Sequence, residues 1–377
     1  MTRSDGSTPA HARYIMVGGF LGAGKTTAIA CLARHLAVGG LRVGLITNDQ
    51  GSNLVDTASL RARGYATEEI AGGCFCCRFD SLVEAAARLS REARPDVFIA
   101  EPVGSCTDLV ATVSYPLRRM YGAQFAIAPL SVLVDPVRAA RVLGLEPGAP
   151  FSDKVLYIYR KQLEEADLIL INKCDTLEAA RADTLRAALA REFPQASLLE
   201  ISARTGAGMD AWFARVTGSE QVARAVMDVD YETYAEGEAL LGWLNATAEL
   251  DAPGGFDANT ALHQLASDVQ ARLRAQAAEV AHLKMTLSPE GGLGGEVAVI
   301  NLVRTDFVPE LSARLEGRTA RGQLILNLRA EAAPDTLSQA VREACAALSQ
   351  MAGVRCTLEH LECFRPGKPV PTHRVAG

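Results

Sequence analysis

A short apolar segment at residues 14–17 runs directly into the sequence Gly19-Phe-Leu-Gly-Ala-Gly-Lys-Thr-Thr27. A GxxxxGK[ST] loop has to connect a strand to a helix, because its backbone N–H groups wrap a phosphate, its lysine reaches the outer phosphates and its hydroxyl holds Mg²⁺. Apolar residues recur at helical spacing directly after the loop, at Ile29, Leu32, Ala33 and Leu36. This order predicts a P-loop in a doubly wound, mostly parallel α/β sheet, and it disfavours a chance glycine-rich turn.

The same loop predicts which residues hold a nucleotide. We expect Lys25 to reach the outer phosphates and Thr26 to bind Mg²⁺, and both are candidates for a direct part in hydrolysis. The expected phosphate-binding residues are Gly19, Gly22, Ala23, Gly24, Lys25, Thr26 and Thr27.

A second motif follows another apolar strand, where residues 168–171 lead into Asn172-Lys173-Cys174-Asp175. A carboxylate at this place accepts hydrogen bonds from the ring N–H and the exocyclic amine of guanine, whereas adenine would set an acceptor against it. Asp175, together with Asn172 and Lys173, therefore predicts selection of GTP. Ser202 and Ala203 follow a further strand and suit a loop whose backbone amide contacts the guanine oxygen.

Two more apolar strands end in polar residues that suit a γ-phosphate sensor. One leads into Asn48-Asp49-Gln50-Gly51, and the other leads into Glu101-Pro102-Val103-Gly104. A carboxylate at the carboxyl end of a strand beside the P-loop is where Mg²⁺ and its waters are held. We expect Glu101 to bind Mg²⁺ with Thr26, and Asp49 is either a further ligand or a turn cap. Gly104 could offer an N–H to the γ-phosphate and make its loop a switch.

Three of the nine cysteines lie within four residues, in the run Gly72-Gly73-Cys74-Phe75-Cys76-Cys77. Their sulfurs converge only if the backbone turns sharply, which the two glycines permit. Converging thiolates serve soft-metal binding or redox exchange. Three sulfurs leave a tetrahedral metal one further position. Redox use of Cys76 and Cys77 and plain structural packing stay open as alternatives.

Composition favours a cytoplasmic protein without nucleic-acid or membrane partners. No secretory signal is visible, and the longest apolar run is interrupted by Pro129 and is too short to span a bilayer. A net charge of −6 and a pI near 5.6 disfavour binding to a phosphate backbone. In a reducing compartment, an odd number of cysteines points to metal binding or catalysis and not to a disulfide framework.

Taken together, these segments resemble the CobW-like metal-trafficking GTPases, relatives of the maturation GTPases of nickel enzymes, over roughly residues 14–216. The Cys-x-Cys-Cys element is the distinctive part of the resemblance. It implies a GTPase that binds a transition metal through Cys74, Cys76 and Cys77 and hands it to a client metalloprotein under nucleotide control. Zinc is the first choice of metal, and thiolate-rich sites also accept cobalt, nickel or iron.

This chain also departs from the usual family pattern. The family usually has Asn-Glu-Phe-Gly at Asn48-Asp49-Gln50-Gly51, and Glu-Thr or Glu-Ser at Glu101-Pro102. No glutamine or arginine occupies a diagnostic place for positioning the attacking water, so we expect slow hydrolysis of GTP to GDP and phosphate, stimulated by metal or client. A GTP-gated metal or redox sensor without delivery and a P-loop small-molecule kinase are the alternative functions. A dimer that depends on nucleotide or metal is also compatible with the sequence.

The remaining cysteines carry weaker expectations. Cys31 and Cys174 are interpreted as small apolar fillers, and Cys106 either packs in the core or supplies an extra metal ligand. A second metal site is conceivable at the C-terminal group, but alternation in the last strand favours core packing there. That group is Cys345, Cys356, His360 and Cys363.

Periodicity divides the chain into an N-terminal tail (1–13), a P-loop GTPase domain (14–218), a linker (219–235) and a C-terminal domain (236–377). In the last part, strands are predicted at 238–250, 297–303, 322–328 and 354–361, and helices at 259–283 and 335–348. The order β-α-β-β-α-β predicts a smaller α+β domain of the ferredoxin-like type. We expect it to bind the client or regulate the GTPase, or else to act as a stabilising lid.

Overall fold

The computed structural model describes residues 11–48, 60, 64–148, 151–290, 297–351 and 353–375. The expected Mg²⁺ ligand Asp49 and residues 1–10 of the predicted tail lie outside these ranges. Across the described ranges, no helix combines the length and the apolar character needed to cross a membrane.

The first part of the chain forms an eight-stranded sheet in which every strand pairing is parallel. Its strands are β1 Ala12–Gly19, β2 Val43–Asn48, β3 Ala66–Ile70, β4 Val97–Glu101, β5 Phe125–Ile127, β6 Ser131–Val134, β7 Leu168–Ile171 and β8 Ser197–Glu200. The spatial order is β3-β2-β4-β1-β6-β7-β8, and β5 also pairs with β1. Alternate residues of β1 belong to two separate hydrophobic clusters, Tyr14 and Met16 to one and Ile15 and Val17 to the other. Both faces of the sheet are therefore covered, as the doubly wound prediction requires.

Helices lie between most of these strands along the chain, as in a P-loop fold. They are α1 Lys25–Val38, α2 Phe79–Glu92, α3 Tyr115–Tyr121, α4 Pro136–Val142, α5 Asp153–Glu164, α6 Ala179–Glu192 and α7 Met209–Gly218. A π-helical turn, Val110–Ser114, leads into α3, and a 3₁₀ turn, Cys174–Thr176, follows β7.

The last part of the chain forms a separate six-stranded antiparallel sheet with the order β12-β11-β10-β13-β9-β14. Its strands are β9 Leu241–Phe256, β10 Glu279–Pro289, β11 Ala298–Leu302, β12 Glu310–Ala313, β13 Thr319–Glu331 and β14 Arg355–Phe364. The helices of this part are α8 Tyr231–Leu240, α9 Ala258–Ala275 and α10 Pro334–Met351. One hydrophobic cluster joins α9 and α10 to one face of the sheet.

The predicted ferredoxin-like arrangement is present, but one of its strands was misassigned. The order β9-α9-β10-β13-α10-β14, with β10-β13-β9-β14 side by side, is the split β-α-β pattern. The strand predicted at 297–303 is β11, which together with β12 extends the edge beyond β10. The true second strand, β10, lies where the sequence predicted the end of a long helix.

Two boundaries in this region were wrong for identifiable reasons. The helix predicted at 259–283 ends at Ala275, because Ala277 adopts a left-handed conformation (φ 53°) that a helix cannot continue through. The strand predicted from residue 238 begins at Leu241, because α8 occupies the preceding residues. Asp230 caps α8 by accepting hydrogen bonds from the amides of Glu232 and Thr233, so part of the predicted linker is helical.

The antiparallel sheet contacts the P-loop domain beside the P-loop itself. Arg138, at the start of α4, donates to the carbonyl oxygens of Val280, Ala281 and Val303. A Cβ added at Gly22 would lie 3.1 Å from the Ala281 oxygen, so a larger residue at this P-loop position would press on β10. The P-loop and the start of β10 are therefore direct neighbours.

Candidate functional site

The P-loop has the conformation that its glycines were expected to permit. Gly22 and Gly24 have φ values of 77° and 94°, in the left-handed region that favours glycine. A Cβ at Gly19, also at positive φ, would lie 2.4 Å from the Leu133 oxygen. The buried Lys25 ammonium donates to the Gly19 carbonyl oxygen, 2.9 Å away. The motif therefore forms a compact loop at the N-terminus of α1, with its lysine inside.

The two expected Mg²⁺ ligands that the structure describes lie together. Thr26 Oγ1 donates to Glu101 Oε1 over 3.1 Å, and the Glu101 side chain is buried at the end of β4. A hydroxyl and a carboxylate in contact at the carboxyl end of a parallel sheet are oxygen donors of the kind Mg²⁺ prefers.

The guanine motif is joined to the P-loop by side-chain hydrogen bonds. Asn172 Nδ2 donates to the Ala23 oxygen over 2.8 Å, and Asn172 Oδ1 accepts from the Ala203 amide over 3.1 Å. Lys173 donates to the Gly22 oxygen over 2.9 Å. Asn172 and Lys173 thus hold the P-loop and the loop after β8 in register.

Asp175 is exposed and faces a broad cleft of about 1920 Å³. The P-loop and Ala203 line the same cleft on the GTPase side, and the polar face of the antiparallel sheet lines its other side. Ser202 lies on the GTPase side but is buried, and its hydroxyl accepts a hydrogen bond from the Thr205 amide. The expected phosphate and base contacts therefore share one cavity that is large enough for a nucleotide.

Asp135 connects the guanine motif to the antiparallel sheet. It contacts Lys173 at 2.8 Å and Arg304 at 3.2 Å, and its carboxylate is buried. Burial alone would raise the pKa of Asp135, but the charges of Lys173 and Arg304 outweigh that effect and lower the pKa to about 2. Sequence analysis missed this residue, because nothing local marks it as the partner of an arginine 169 positions away.

The sulfurs of the Cys-x-Cys-Cys run converge. Cys74 Sγ lies 2.7 Å from Cys76 Sγ and 3.2 Å from Cys77 Sγ, and Cys76 and Cys77 are 3.7 Å apart. The turn is closed by the amides of Cys77 and Arg78, which both donate to the Cys74 oxygen. Gly72 and Gly73 precede it with φ values of 76° and 149°. Within the described parts of the chain, this is the one group of three or more potential metal ligands.

The electrostatics of the cluster single out one sulfur. Hydrogen bonds from the thiols of Cys106, Cys76 and Cys77 hold the pKa of Cys74 well below its usual range. The hydrogen bond between Cys76 and Cys74 is the main cause of the raised pKa of Cys76. The hydrogen bond between Cys77 and Cys74 is likewise the main cause that raises the pKa of Cys77 to about 11. Cys74 is thus the cysteine of the group whose thiol loses its proton most readily.

Asn48 connects the end of β2 to this cysteine loop. Its side-chain amide donates to the oxygens of Ile70 and Gly73 over 2.9 and 2.6 Å. The strand that leads into the first switch-like segment is thereby attached to the residue before Cys74. The rest of that segment lies outside the described residues.

The C-terminal segment 366–375 crosses the cysteine loop, a contact that sequence analysis missed. The Thr372 amide donates to the Cys76 oxygen over 2.8 Å, and its hydroxyl donates to the Cys77 oxygen over 3.2 Å. Farther along, Arg374 forms a 2.7 Å ion pair with the buried Asp108. Prolines 366, 369 and 371 were the local signal for an extended segment, but they do not reveal what it covers.

Cys31 and the three cysteines of the antiparallel sheet, Cys345, Cys356 and Cys363, pack in or against hydrophobic clusters. Cys345 is buried in the core of the antiparallel sheet, and Cys356 packs against that core. A bulge between Leu358 and His360 shifts the register of β14. Cys31 donates to the Ala203 oxygen over 3.4 Å and packs against the P-loop helix cluster.

Comparison with known proteins gives one family match. Residues 13–199 match the model of the CobW/HypB/UreG nucleotide-binding domain. A zinc chaperone CobW from a Sinorhizobium species is 32% identical over 194 residues, which are 45% of this chain and 53% of that protein. The zinc chaperone YeiR of Escherichia coli K12 is 30% identical over 166 residues, covering 43% and 47%. The zinc-regulated GTPase metalloprotein activator 1 of Dictyostelium discoideum is 27% identical over 215 residues, covering 49% and 44%. The chain spans about half the length of these relatives.

Among solved structures, HypB of Archaeoglobus fulgidus is 20% identical and covers 55% of this chain and 89% of that one, with a TM-score of 0.39. The Zn(II)-bound YjiA GTPase of Escherichia coli is 15% identical and covers 90% and 99%, also with a TM-score of 0.39.

Proposed function

Since residues 13–199 belong to the CobW/HypB/UreG nucleotide-binding family, and the chain is thereby a CobW-like metal-trafficking P-loop GTPase, we propose that it is a GTP-hydrolysing metallochaperone. In this proposal the protein binds a transition metal at Cys74, Cys76 and Cys77 and delivers it to a client metalloprotein. Zinc is the proposed cargo, because three relatives are named for zinc and a cluster of thiolates suits that ion.

The convergence of the three sulfurs carries the proposal. A tetrahedral zinc ion with sulfur ligands at about 2.3 Å sets those sulfurs about 3.8 Å apart. Cys76 and Cys77 already have nearly that separation, at 3.7 Å. The two distances to Cys74 would have to open by about 1 Å or less to admit such an ion. The donor set therefore fits a thiophilic metal after sulfur shifts of about 1 Å or less.

The proposed nucleotide contacts follow the P-loop geometry. Lys25 and the amides of the loop hold the phosphates, Thr26 and Glu101 bind Mg²⁺, and Asp175 recognises guanine. Bound Mg²⁺ would screen the charge that develops on the phosphates during hydrolysis. Because Asn172 is engaged with both the P-loop and Ala203, we assign it to holding the base loop in position. Asp49 stays a predicted further Mg²⁺ ligand.

Two connections support control of the metal by the nucleotide. Asn48 ties the end of β2 to Gly73 in the cysteine loop. Glu101, which contacts Thr26, begins the segment that leads to the buried Cys106, and Cys106 belongs to the same hydrophobic cluster as Cys74. A change at the γ-phosphate would therefore reach the cysteines from two sides.

The test is zinc binding and GTP turnover by the full chain and by a variant with Cys74, Cys76 and Cys77 all changed to serine. We expect one zinc per wild-type chain, and GTP hydrolysis that is slow alone and faster with zinc. The triple variant should lose both zinc and the stimulation but keep its GTP affinity. Cys345→Ser, at a buried cysteine outside the cluster, is the matched control. Zinc retained by the triple variant would contradict the proposal.

A further inference from the structure

One face of the antiparallel sheet forms a wall of the nucleotide cleft, and it carries basic side chains. On β10, Leu283, Met285 and Leu287 belong to the hydrophobic cluster that includes α9 and α10. Because side chains alternate along a strand, His282 and Lys284 lie on the opposite face. Both residues line the cleft that also contains the P-loop. The second part of the chain therefore presents a lysine to the cavity in which we expect the nucleotide.

The start of β10 is held against the phosphate-binding loop. A Cβ added at Gly22 would lie 3.1 Å from the Ala281 oxygen and 3.1 Å from Val303 Cβ. A strand rises about 3.3 Å per residue, so Lys284, three residues after Ala281, lies about 10 Å along β10 from this contact. A flexible four-carbon side chain and a bound phosphate group can together span that distance.

A second contact holds the sheet at the base end of the cleft. Arg204, in the loop after β8, forms a 2.8 Å ion pair with Glu310 of β12. In the strand register, Glu310 pairs with Asn301, which in turn pairs with Lys284. Neighbouring strands lie about 4.8 Å apart, so Lys284 is about 10 Å across the sheet from this contact. On its other side Lys284 pairs with Asn327, so strand pairing places no carboxylate directly opposite it.

Building on the proposed GTP site, we propose that Lys284 binds the outer phosphates of the nucleotide and stabilises the negative charge that develops on them during hydrolysis. A lysine ammonium is a compact charge with three donors, which suits phosphate oxygens. In the reaction, water attacks the γ-phosphorus and the bond to the oxygen between the β- and γ-phosphorus atoms breaks, which yields GDP and phosphate. Lys284 stays protonated throughout and takes no part in proton transfer.

Arg329 is the competing cation on the same wall of the cleft. Its Nη1 donates to the oxygens of Leu244 and Leu328 over 2.8 and 3.0 Å. Its guanidinium carbon also lies 4.0 Å from the centre of the Trp243 ring. These contacts hold the buried Arg329 side chain within its own sheet, whereas Lys284 is only half-buried. Lys284 is therefore the residue that we assign to the phosphates.

The experiment measures single-turnover GTP hydrolysis and the affinities for GTP, GDP and guanosine in the full chain. Lys284→Ala should lower the hydrolysis rate at least about tenfold and the GTP affinity about tenfold. GDP should lose less affinity than GTP, and guanosine should lose none. Lys284→Arg keeps the charge and should retain most of both properties. Lys154→Ala, which removes a lysine that pairs with Glu236 on the surface, is the matched control.

Equal loss of affinity for GTP, GDP and guanosine in Lys284→Ala would contradict a role at the phosphates. The same result in Lys284→Arg would mean that Lys284 acts through the fold and not through its charge.

A reactive nucleotide makes the test independent of variant folding. GTP that carries an acyl group on its γ-phosphate transfers that group to a nearby lysine, because the amine attacks the acyl carbon and releases GTP. In the unmodified protein we expect acylation of Lys284, identified by peptide mass spectrometry and suppressed by excess GTP. Acylation of Lys25 without Lys284 would overturn the role of Lys284 but leave the GTP site intact. Failure of that site is detected separately, as a lack of GTP binding by the wild-type chain.

Discussion

The backbone amide of Val370 donates a hydrogen bond to the sulfur of Cys77, 3.2 Å away, although 293 positions separate the two residues. An N–H group that donates to a cysteine sulfur stabilises its deprotonated form and holds the side chain in place. The segment 366–375 thus covers the half-buried side of a cysteine cluster whose other sulfurs are already buried.

We therefore predict that loosening this segment accelerates metal release. Thr372→Pro removes the amide that donates to the Cys76 oxygen and the hydroxyl that donates to the Cys77 oxygen. Two hydrogen bonds of about 1 kcal/mol each would increase opening of the segment roughly tenfold or more. The rate of zinc transfer to an excess of chelator should rise accordingly. Lys368→Ala, on the same segment but paired with the exposed Glu232, is the control. Equal rates for both variants would contradict a covering role.

Asp135→Asn should weaken the contact between the P-loop domain and the antiparallel sheet. The folded-state pKa of Asp135 is lowered from 3.8 to about 2, so its stabilising effect is complete above about pH 4 and is lost as the pH falls towards 2. The shift corresponds to about 2 kcal/mol at neutral pH. Denaturant unfolding of wild type and variant from pH 7 down to pH 2 should show this difference shrinking below about pH 4.

The surface carboxylate Asp96 provides the control for that experiment. It pairs with Arg42 where both side chains are more than a third exposed, so Asp96→Asn should cost well under 1 kcal/mol. A pH-independent difference for Asp135→Asn would mean that the buried charge does not stabilise the junction.

Asp175→Asn should change the base that the protein selects. An asparagine offers one N–H and one oxygen where guanine needs two acceptors, so GTP affinity should fall at least about a hundredfold. Xanthosine triphosphate, which carries an oxygen in place of the exocyclic amine, should bind the variant better than GTP does. Asp183→Asn, exposed on α6, should leave nucleotide affinity unchanged. Unaltered GTP binding by Asp175→Asn would exclude Asp175 from base recognition.

Gly104→Ala should uncouple the metal from the nucleotide. The added methyl group would meet Leu21 Cδ2 at 2.8 Å, so the segment and the P-loop would have to separate. We expect the difference in zinc affinity between the GTP-bound and GDP-bound forms to shrink towards zero, with zinc affinity in the absence of nucleotide within about twofold of wild type. Gly254→Ala, where an added Cβ meets nothing within 4 Å, is the matched control. A full nucleotide response in Gly104→Ala would exclude this contact as the coupling route.

The parts of the site that sequence predicts well are encoded within a few residues. The P-loop conformation follows from Gly22 and Gly24, and the convergence of Cys74 with Cys77 follows from a turn of four residues. Contacts between segments that are distant in sequence are not encoded by any such short stretch of residues. The contacts of Thr372 with Cys76 and of Asp135 with Arg304 depend on how distant parts of the chain pack, which periodicity does not report.

The same distinction explains the errors in the antiparallel sheet. Alanine, glutamate and leucine around residues 276–283 favour a helix by propensity, but tertiary pairing with β13 makes them part of β10. The buried alternation of Leu283, Met285 and Leu287 was available as a signal of a strand. It was hidden by the helical pattern that directly precedes it.

The most direct test of the account is the zinc affinity of the full chain, measured by competition with a chelator in the presence of GDP and of a non-hydrolysable GTP analogue. Engagement of Thr26 and Glu101 by Mg²⁺ and the γ-phosphate should act on the ends of β2 and β4, and Asn48 attaches the end of β2 to the cysteine loop, so the GTP-like state should bind zinc at least about tenfold more tightly. The triple serine variant of Cys74, Cys76 and Cys77 should bind no zinc in either state. Equal zinc affinity in both nucleotide states would contradict nucleotide-controlled metal transfer.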